Sequence, residues 1–218
     1  TAVRTDAGAG ICVGRPLASI EWRIIGITDE PIESIDQTEK LAADQIGELV
    51  VRGPQASLRY VTRNECNAAA KIADVGGDWH RMGDVGYFDD SGRFWYCGRK
   101  SHRVETVAGT LFTECVESIV NTHPAVCRSA LVGIGQRDVQ TPVVICQPTP
   151  EVNWCGGKPV SKHADQRLVR ELRESVKLHA LPLPIEHFLL RDTLPVDVRH
   201  NAKINREQMA VWAAKQLP

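Results

Sequence analysis

The chain has 218 residues, 43% of them hydrophobic and 24% charged, and a formal net charge of −1. This composition is ordinary for a globular protein, and the near-zero charge argues against nucleic acid or an anionic membrane as its main partner. No apolar run approaches the roughly 20 residues that a membrane-spanning helix needs. We therefore predict no transmembrane segment and expect a cytoplasmic protein.

Seven cysteines are present, and no two of them form a CxxC pair. The odd number and the spacing favour neither a zinc site nor a disulfide framework. Several lie within apolar runs, such as Cys146 after Val143-Val144-Ile145, and we interpret them as small buried residues in a reducing compartment. We predict surface or packing roles for four histidines that show no metal-ligand spacing: His80, His102, His123 and His200.

The first hundred residues predict a β-rich unit, because their apolar residues alternate or cluster in short β-branched runs. Two aromatic-rich segments flank Asp89-Asp90-Ser91-Gly92, whose composition is typical of a tight turn, so they predict a β-hairpin. The predicted elements are strands over 18–26 and 47–53, an exposed polar loop over 28–46, one or two helical turns over 64–71 capped by Asn64, and hairpin strands over 84–88 and 93–97.

The remaining residues predict a small α+β unit after a polar linker, Lys100-Ser101-His102-Arg103. Val116, Ile119 and Val120 have the spacing of a helix face, and residues 164, 168, 172 and 176 recur every four positions. The predicted elements are a helix over 113–121 capped by Thr113, strands over 128–135 and 142–147, a loop over 148–162, a helix over 163–179, a strand over 187–191, and a helix over 205–216 capped by Asn205. The fold class is therefore α+β, divided into 1–99 and 100–218.

Three polar residues can carry chemistry, although each also has an ordinary structural interpretation. Asp84 follows a glycine at the predicted start of a strand, where a carboxylate can bind a vicinal diol or satisfy the N–H groups of a turn. Arg99 can direct a planar cation at the same ligand or remain solvated. Lys203, predicted on a loop before the last helix, can neutralise phosphate or carboxylate charge in a transition state, or be one exposed lysine among many.

Five motifs follow one another along nearly the whole chain. They are Gly47-Glu48-Leu49-Val50-Val51-Arg52-Gly53, Trp79-His80-Arg81-Met82-Gly83-Asp84, Gly86-Tyr87-Phe88-Asp89-Asp90-Ser91-Gly92, Gly98-Arg99-Lys100 and Asn201-Ala202-Lys203. In this order they resemble motifs of the adenylate-forming superfamily, which includes acyl- and aryl-CoA synthetases, adenylation domains and luciferases.

The resemblance implies a role for each motif residue. Asp84 would bind the ribose hydroxyls of ATP and AMP, and Arg99 would contact the same ribose. Lys100 and Ser101 would form the hinge of a mobile C-terminal domain, and Lys203 would bridge the carboxylate and the α-phosphate. The first reaction would join a carboxylic acid to AMP and release pyrophosphate, with Mg²⁺ neutralising phosphate charge. No residue of this chain is predicted to ligate a metal.

The resemblance also assigns the two parts of the chain to domains. Residues 1–99 would be the β-rich end of the large ATP-binding domain, and residues 100–218 the small lid domain. The Ser/Thr/Gly-rich phosphate loop of the superfamily and its Tyr-Gly-x-Thr-Glu segment are not among the 218 residues. We therefore expect them before Thr1, in a protein more than twice as long, and we expect the 218 residues alone to be inactive.

Two departures from the superfamily pattern are present: the first would remove a hydroxyl near the nucleotide, and the second bears on the second half-reaction. Met82 occupies a place where threonine is usual, and Ala108 takes the usual place of a glycine, next to Gly109. A β-carbon at position 108 would narrow the path of an incoming thiol, which weakens the expectation of a CoA ligase.

The run Trp95-Tyr96-Cys97-Gly98-Arg99-Lys100-Ser101-His102-Arg103-Val104 resembles one branch, the olefin β-lactone synthetases of bacterial long-chain hydrocarbon synthesis. That branch implies adenylation of a long-chain 2-alkyl-3-hydroxy acid, closure to a β-lactone without CoA, and work alongside other enzymes of the pathway. The alternatives are a fatty-acyl-CoA or acyl-carrier-protein ligase and a non-catalytic interaction module. Retention of Asp84, Arg99 and Lys203 argues against the last.

Overall fold

The computed structural model describes residues 4–57, 59–62, 64–149, 154–155, 158–159, 162–179, 181–197 and 200–217. Two compact units are present: one is Gly10–Ser101, and the other consists of the described residues within Thr1–Ala9 and His102–Pro218. Strands and helices are mixed along the chain, and the predicted α+β class is confirmed. No helix in these ranges is long and apolar enough to cross a membrane.

The first unit is built on an antiparallel sheet in the order β1-β6-β5-β3-β2, with β4 paired to β5. Its strands are β1 (Ile11–Gly14), β2 (Glu21–Ile25), β3 (Gly47–Arg52), β4 (Lys71–Ile72), β5 (Trp79–Phe88) and β6 (Phe94–Arg99). Three-residue 3₁₀ turns lie at Ile35–Gln37, Asn64–Cys66 and Lys100–His102, and α1 (Asn67–Ala70) follows the second of them. The predicted hairpin is thus confirmed, as β5 and β6. Strands β1 and β4 were not predicted from the sequence, and the predicted helical turns end at Ala70, one residue early.

Strand β3 is buried on both faces, which explains its continuous apolar run. Leu49 and Val51 pack into one cluster with residues that include Phe94, while Val50 packs into a second cluster on the opposite face. Successive side chains of a strand point to opposite faces, so the unit has a core on each side of its sheet.

The prediction of a wholly exposed loop over 28–46 is wrong in part. Ile32 and Ile35 are buried in the same cluster as Val50, and Ile35 begins a 3₁₀ turn. Two isoleucines in an acidic segment carry too little periodicity to be recognised, yet they cover one face of the sheet.

The second unit is built around a three-stranded sheet in the order β13-β10-β9, in which β10 pairs parallel with β13 and antiparallel with β9. Its remaining strands form three two-stranded pairs, β7–β8, β11–β12 and β14–β15. The bounds are β7 (Val104–Thr106), β8 (Gly109–Leu111), α2 (Thr113–Val120), β9 (Val126–Ile134), β10 (Thr141–Pro148), β11 (Trp154–Cys155), β12 (Lys158–Pro159), α3 (Lys162–Lys177), β13 (His187–Leu190), β14 (Val196–Asp197), β15 (His200–Ile204) and α4 (Arg206–Ala214).

Helices cover both faces of this sheet. On one face Val144 and Cys146 pack against α2 and α3, and on the other face Val143 and Ile145 pack against α4. Cys146 is fully buried, in agreement with its predicted packing role. A strand that is buried on both faces has an unbroken apolar sequence, and residues 143–146 of β10 have such a sequence.

Of the three predicted helix caps, one is confirmed and two are wrong. Asn64 begins the 3₁₀ turn before α1, and Cys66 holds the capping position of α1 without a side-chain bond. Asn205 caps α4, because its Oδ1 accepts a hydrogen bond from the Gln208 N–H at 3.0 Å. Thr113 is not a cap: it is the first residue of α2 and is buried, while Phe112 holds the capping position without a side-chain bond. A buried threonine next to Phe112 is used for packing rather than for capping. Much of the predicted loop over 148–162 lies outside the described residues, and the prediction is wrong at the short strand pair β11–β12 and at Lys162, where α3 begins.

Candidate functional site

A bulge in β5 shapes the surroundings of Asp84. Glu48 pairs with Val85 and Val50 pairs with Arg81, so Leu49 alone faces the three residues 82–84 of β5. Gly83 has φ +70°, which glycine adopts without the steric penalty of a Cβ. Bulges of this kind redirect side chains and are frequent beside active sites. The prediction that Asp84 begins a strand is therefore wrong, because β5 begins at Trp79 and Asp84 lies within its bulge.

Asp84 and Arg99 are direct partners across β5 and β6, where they occupy paired positions. Arg99 Nη1 donates to Asp84 Oδ1 at 2.8 Å and to the Met82 carbonyl oxygen at 2.7 Å. The side chains of Asp84 and Arg99 are 21% and 42% exposed, so both remain accessible to a ligand. Arg99 thus stabilises the bulge and orients a carboxylate that can accept hydrogen bonds from a diol. Binding of a ribose by this pair stays a prediction.

A buried charged cluster, which no sequence pattern predicted, lies in the same unit. The Arg81 guanidinium binds the fully buried Glu48 carboxylate with two hydrogen bonds, of 3.1 Å from Nε and 2.7 Å from Nη2. Lys100 Nζ lies 3.0 Å from Glu48 Oε2 and 2.9 Å from the Thr28 carbonyl oxygen. Burial lowers the pKa of Lys100, and the Glu48 carboxylate opposes that shift.

The predicted hinge residues differ in their surroundings. The Lys100 ammonium is bound by Glu48 and Thr28 in the first unit, whereas Ser101 is exposed and is the last residue of that unit. Both belong to a 3₁₀ turn that ends at His102. Their hinge role stays a prediction.

Lys203 belongs to the second unit. It lies in β15, which pairs antiparallel with β14, so the prediction of a loop is wrong at this position. The side chain is exposed, and the strand ends one residue later, just before the cap of α4. The two-residue strand β14 is too short for its pattern to be recognised, which is why the pair was missed.

The comparisons with known proteins support the resemblance to adenylate-forming enzymes. The olefin β-lactone synthetase of Stenotrophomonas maltophilia is 44% identical over 226 residues, which cover 100% of this chain and 38% of that protein. The enzyme of the same name from Xanthomonas campestris is 44% identical over 221 residues, covering 99% and 38%. The structure of o-succinylbenzoate CoA synthetase from Bacillus subtilis with AMP superposes with a TM-score of 0.67 at 25% identity, covering 91% of this chain and 35% of that one.

The chain matches the C-terminal part of adenylate-forming enzymes. It spans 38% of the length of the two β-lactone synthetases, and no protein-family model matches it. The predicted resemblance is therefore confirmed in both of its parts, the superfamily and the β-lactone synthetase branch.

The departure from the adenylate-forming pattern at Ala108 lies at the tip of the β7–β8 hairpin. Thr106 Oγ1 donates to the Gly109 carbonyl at 2.8 Å and accepts from the Ala108 N–H at 3.1 Å. Gly109 has φ +143°, and both Val107 and Ala108 are exposed. The Ala108 methyl group is therefore presented to solvent at a well-fixed turn. Its effect on a thiol path stays a prediction.

Adenylate formation would also use Mg²⁺. Within the described ranges, no three His, Cys, Asp or Glu side chains are arranged to hold a metal ion. Mg²⁺ commonly binds through substrate phosphates together with one or two carboxylates. That no residue of this chain ligates a metal stays a prediction.

Proposed function

We propose that the protein containing this chain adenylates a long-chain 2-alkyl-3-hydroxy acid with ATP and closes the product to a β-lactone. The observation that carries the proposal is the Asp84–Arg99 pair at the β5 bulge, in a chain 44% identical to olefin β-lactone synthetases. In this proposal the Asp84 carboxylate, oriented by Arg99, accepts hydrogen bonds from the ribose hydroxyls. The Lys203 ammonium offsets the negative charge shared by the substrate carboxylate and the α-phosphate.

The second step needs no external nucleophile. In the acyl adenylate, the 3-hydroxyl oxygen of the substrate attacks its own carbonyl carbon, the bond from that carbon to the AMP oxygen breaks, and the hydroxyl proton is lost to a base. AMP leaves and a four-membered lactone remains. We further propose that the enzyme works in the cytoplasm beside other enzymes of the hydrocarbon pathway.

The decisive experiment uses the full-length protein with ATP, Mg²⁺ and a long-chain 2-alkyl-3-hydroxy acid. We expect substrate-dependent ATP–pyrophosphate exchange, and release of AMP with β-lactone in the absence of CoA. The alternative is a CoA ligase, which the structural similarity to o-succinylbenzoate CoA synthetase favours. AMP release that requires CoA and yields a thioester would establish that alternative, and no exchange with any acid would favour a non-catalytic module.

Two matched pairs of variants test the residues. Lys203→Ala is expected to lower the exchange rate by roughly 10²–10³, while Lys215→Ala, which removes another exposed lysine of the same unit, should leave it unchanged. Asp84→Asn is expected to raise KM for ATP, whereas Asp90→Asn, in the exposed hairpin turn, should not.

A related proposal concerns the chain by itself. The phosphate loop of the superfamily is not among its residues, so we propose that the 218 residues alone do not catalyse exchange. Robust exchange by the isolated chain would contradict this.

A further inference from the structure

The start of α4 is held by a buried carboxylate. Glu117 on α2 is 5% exposed, and it receives two hydrogen bonds from the Arg206 guanidinium, of 2.6 Å from Nη1 and 3.0 Å from Nη2. Its Oε1 also accepts the Leu131 N–H of β9 at 2.7 Å. Because β9 is the edge strand of its sheet, this carboxylate joins a helix, a sheet edge and the first residue of α4.

Arg206 is separated from Lys203 by only two residues, and both of these are fixed. Ile204 pairs with Val196 in the β14–β15 ladder. Asn205 donates its N–H to the Pro195 carbonyl oxygen at 2.8 Å and caps α4 with its side chain. An extended chain advances about 3.3–3.6 Å per residue, so the Cα atom of Lys203 lies within about 11 Å of that of Arg206. Lys203 and the first turn of α4 are therefore joined by one short segment whose two residues are both hydrogen-bonded or paired.

Stability alone does not require an ion pair at this place. Buried ion pairs can often be replaced by apolar groups of similar volume without loss of stability. Met209 and Ala213, which are fully buried, already attach α4 to its sheet. A bidentate guanidinium–carboxylate contact fixes the relative orientation of its two planar groups. Here that contact lies at the end of α4 that is nearest Lys203.

We propose that Glu117 and Arg206 are positioning residues that hold Lys203 where it acts during adenylation. The inference rests on the function proposed above, since it assigns Lys203 a partner in that reaction. A displacement of about 1 Å at a catalytic group lowers a rate by as much as 100-fold. Neither residue contacts the reacting atoms; both act through the backbone that leads to Lys203.

The test compares two arginines that hold α4 at different places. Arg206 holds its first residue, whereas the Arg191 guanidinium lies 4.9 Å from the ring centroid of Trp212, near its other end. In the full-length enzyme, Arg206→Met is expected to lower kcat for ATP–pyrophosphate exchange by roughly 10-fold to 100-fold with little change in KM for ATP. Arg191→Met is expected to lower the melting temperature but to leave kcat unchanged.

A second variant separates positioning from folding. Glu117→Gln combined with Arg206→Met removes both charges, while the glutamine oxygen can still accept the Leu131 N–H. This double variant is expected to melt close to the wild-type temperature and still to lose kcat. Burial raises the pKa of Glu117 to about 7, with Arg206 acting in the opposite direction. The assays are therefore run at about pH 8, where the carboxylate is ionised.

The last arm asks whether Arg206 acts through Lys203. In a Lys203→Ala background, Arg206→Met is expected to cause no further loss, because residues that act as a unit are not additive. Losses that multiply, or a stable Glu117→Gln/Arg206→Met variant with wild-type kcat, would overturn the positioning role. Full exchange by Lys203→Ala would instead overturn the function proposed for Lys203, and the positioning role with it.

Discussion

Replacing Glu48 with glutamine would remove the anion that faces two cations inside the first unit. The side chains of Glu48, Arg81 and Lys100 are 0%, 2% and 16% exposed, so water can compensate little of the lost interaction. Breaking a buried ion pair by removing one partner costs about 3–5 kcal/mol, because the other charge stays buried. A whole domain is stable by only about 5–15 kcal/mol. We therefore expect Glu48→Gln to remove a large part of the stability of this unit.

The assay is urea unfolding followed by tryptophan fluorescence, since Trp79 is buried in the core of this unit. The matched control is Glu21→Gln. Glu21 also binds an arginine, Arg52, across the neighbouring strand pair β2–β3, but its side chain is 62% exposed. The control should therefore change the free energy of unfolding far less. Equal losses for the two variants would refute the reasoning that burial makes the Glu48 cluster important.

Three further predictions concern the hairpin, the bulge and α4. The hydrogen bond from Trp95 Nε1 lowers the pKa of Asp89 most, and the hydrogen bonds from Arg93 lower it further, so the ionised carboxylate stabilises the fold above about pH 4 and this stabilisation is lost as the pH falls. The free energy of unfolding of wild type and of Asp89→Asn, measured during acid titration, should therefore differ less and less below that pH. Gly83→Ala should lower the free energy of unfolding by about 1–2 kcal/mol, because residue 83 has φ +70°, and it should raise KM for ATP. Gly92→Ala, at φ +71° in the hairpin turn, should lower the free energy of unfolding by the same amount and leave KM for ATP unchanged. Asn205→Ala should lower the stability of the second unit by about 1 kcal/mol in thermal unfolding, because α4 loses its cap.

Each of these has a contradicting outcome. A constant difference between wild type and Asp89→Asn from pH 7 to pH 3 would show that the carboxylate is not held in its ionised form. Equal KM values for Gly83→Ala and Gly92→Ala would separate the bulge from nucleotide binding. An unchanged melting temperature for Asn205→Ala would show that the side-chain cap does not stabilise α4.

Local patterns predicted the elements whose signals are local. The amphipathic spacing of Leu168, Leu172 and Val176 gave α3 to within two residues, and all three side chains are buried. Asn205 was recognised as a cap because capping needs only a short polar side chain at a helix start. The turn residues Asp89–Gly92 likewise predicted the hairpin between β5 and β6.

The remaining features depend on pairing between distant segments. The β5 bulge exists because two extra residues of β5 face Leu49 of β3, and no local pattern gives that register. Glu48 binds Arg81 and Lys100, which are 33 and 52 residues away in the sequence, so the pattern around Glu48 does not predict the cluster. The partnership of Glu117 with Arg206 spans 89 residues. Long-range charged contacts of this kind cannot be predicted from one sequence without the fold.

The hydrogen bond from Arg99 to the main chain of residue 82 bears on which amino acids can occupy that position. Arg99 binds the main-chain carbonyl of Met82, and the Met82 side chain is itself 40% exposed. A carbonyl oxygen is supplied by every amino acid, so the bulge and the orientation of Asp84 do not depend on which side chain occupies this position. The hydrogen bond that holds the bulge is therefore made with methionine at position 82, and any other residue there would offer the same acceptor.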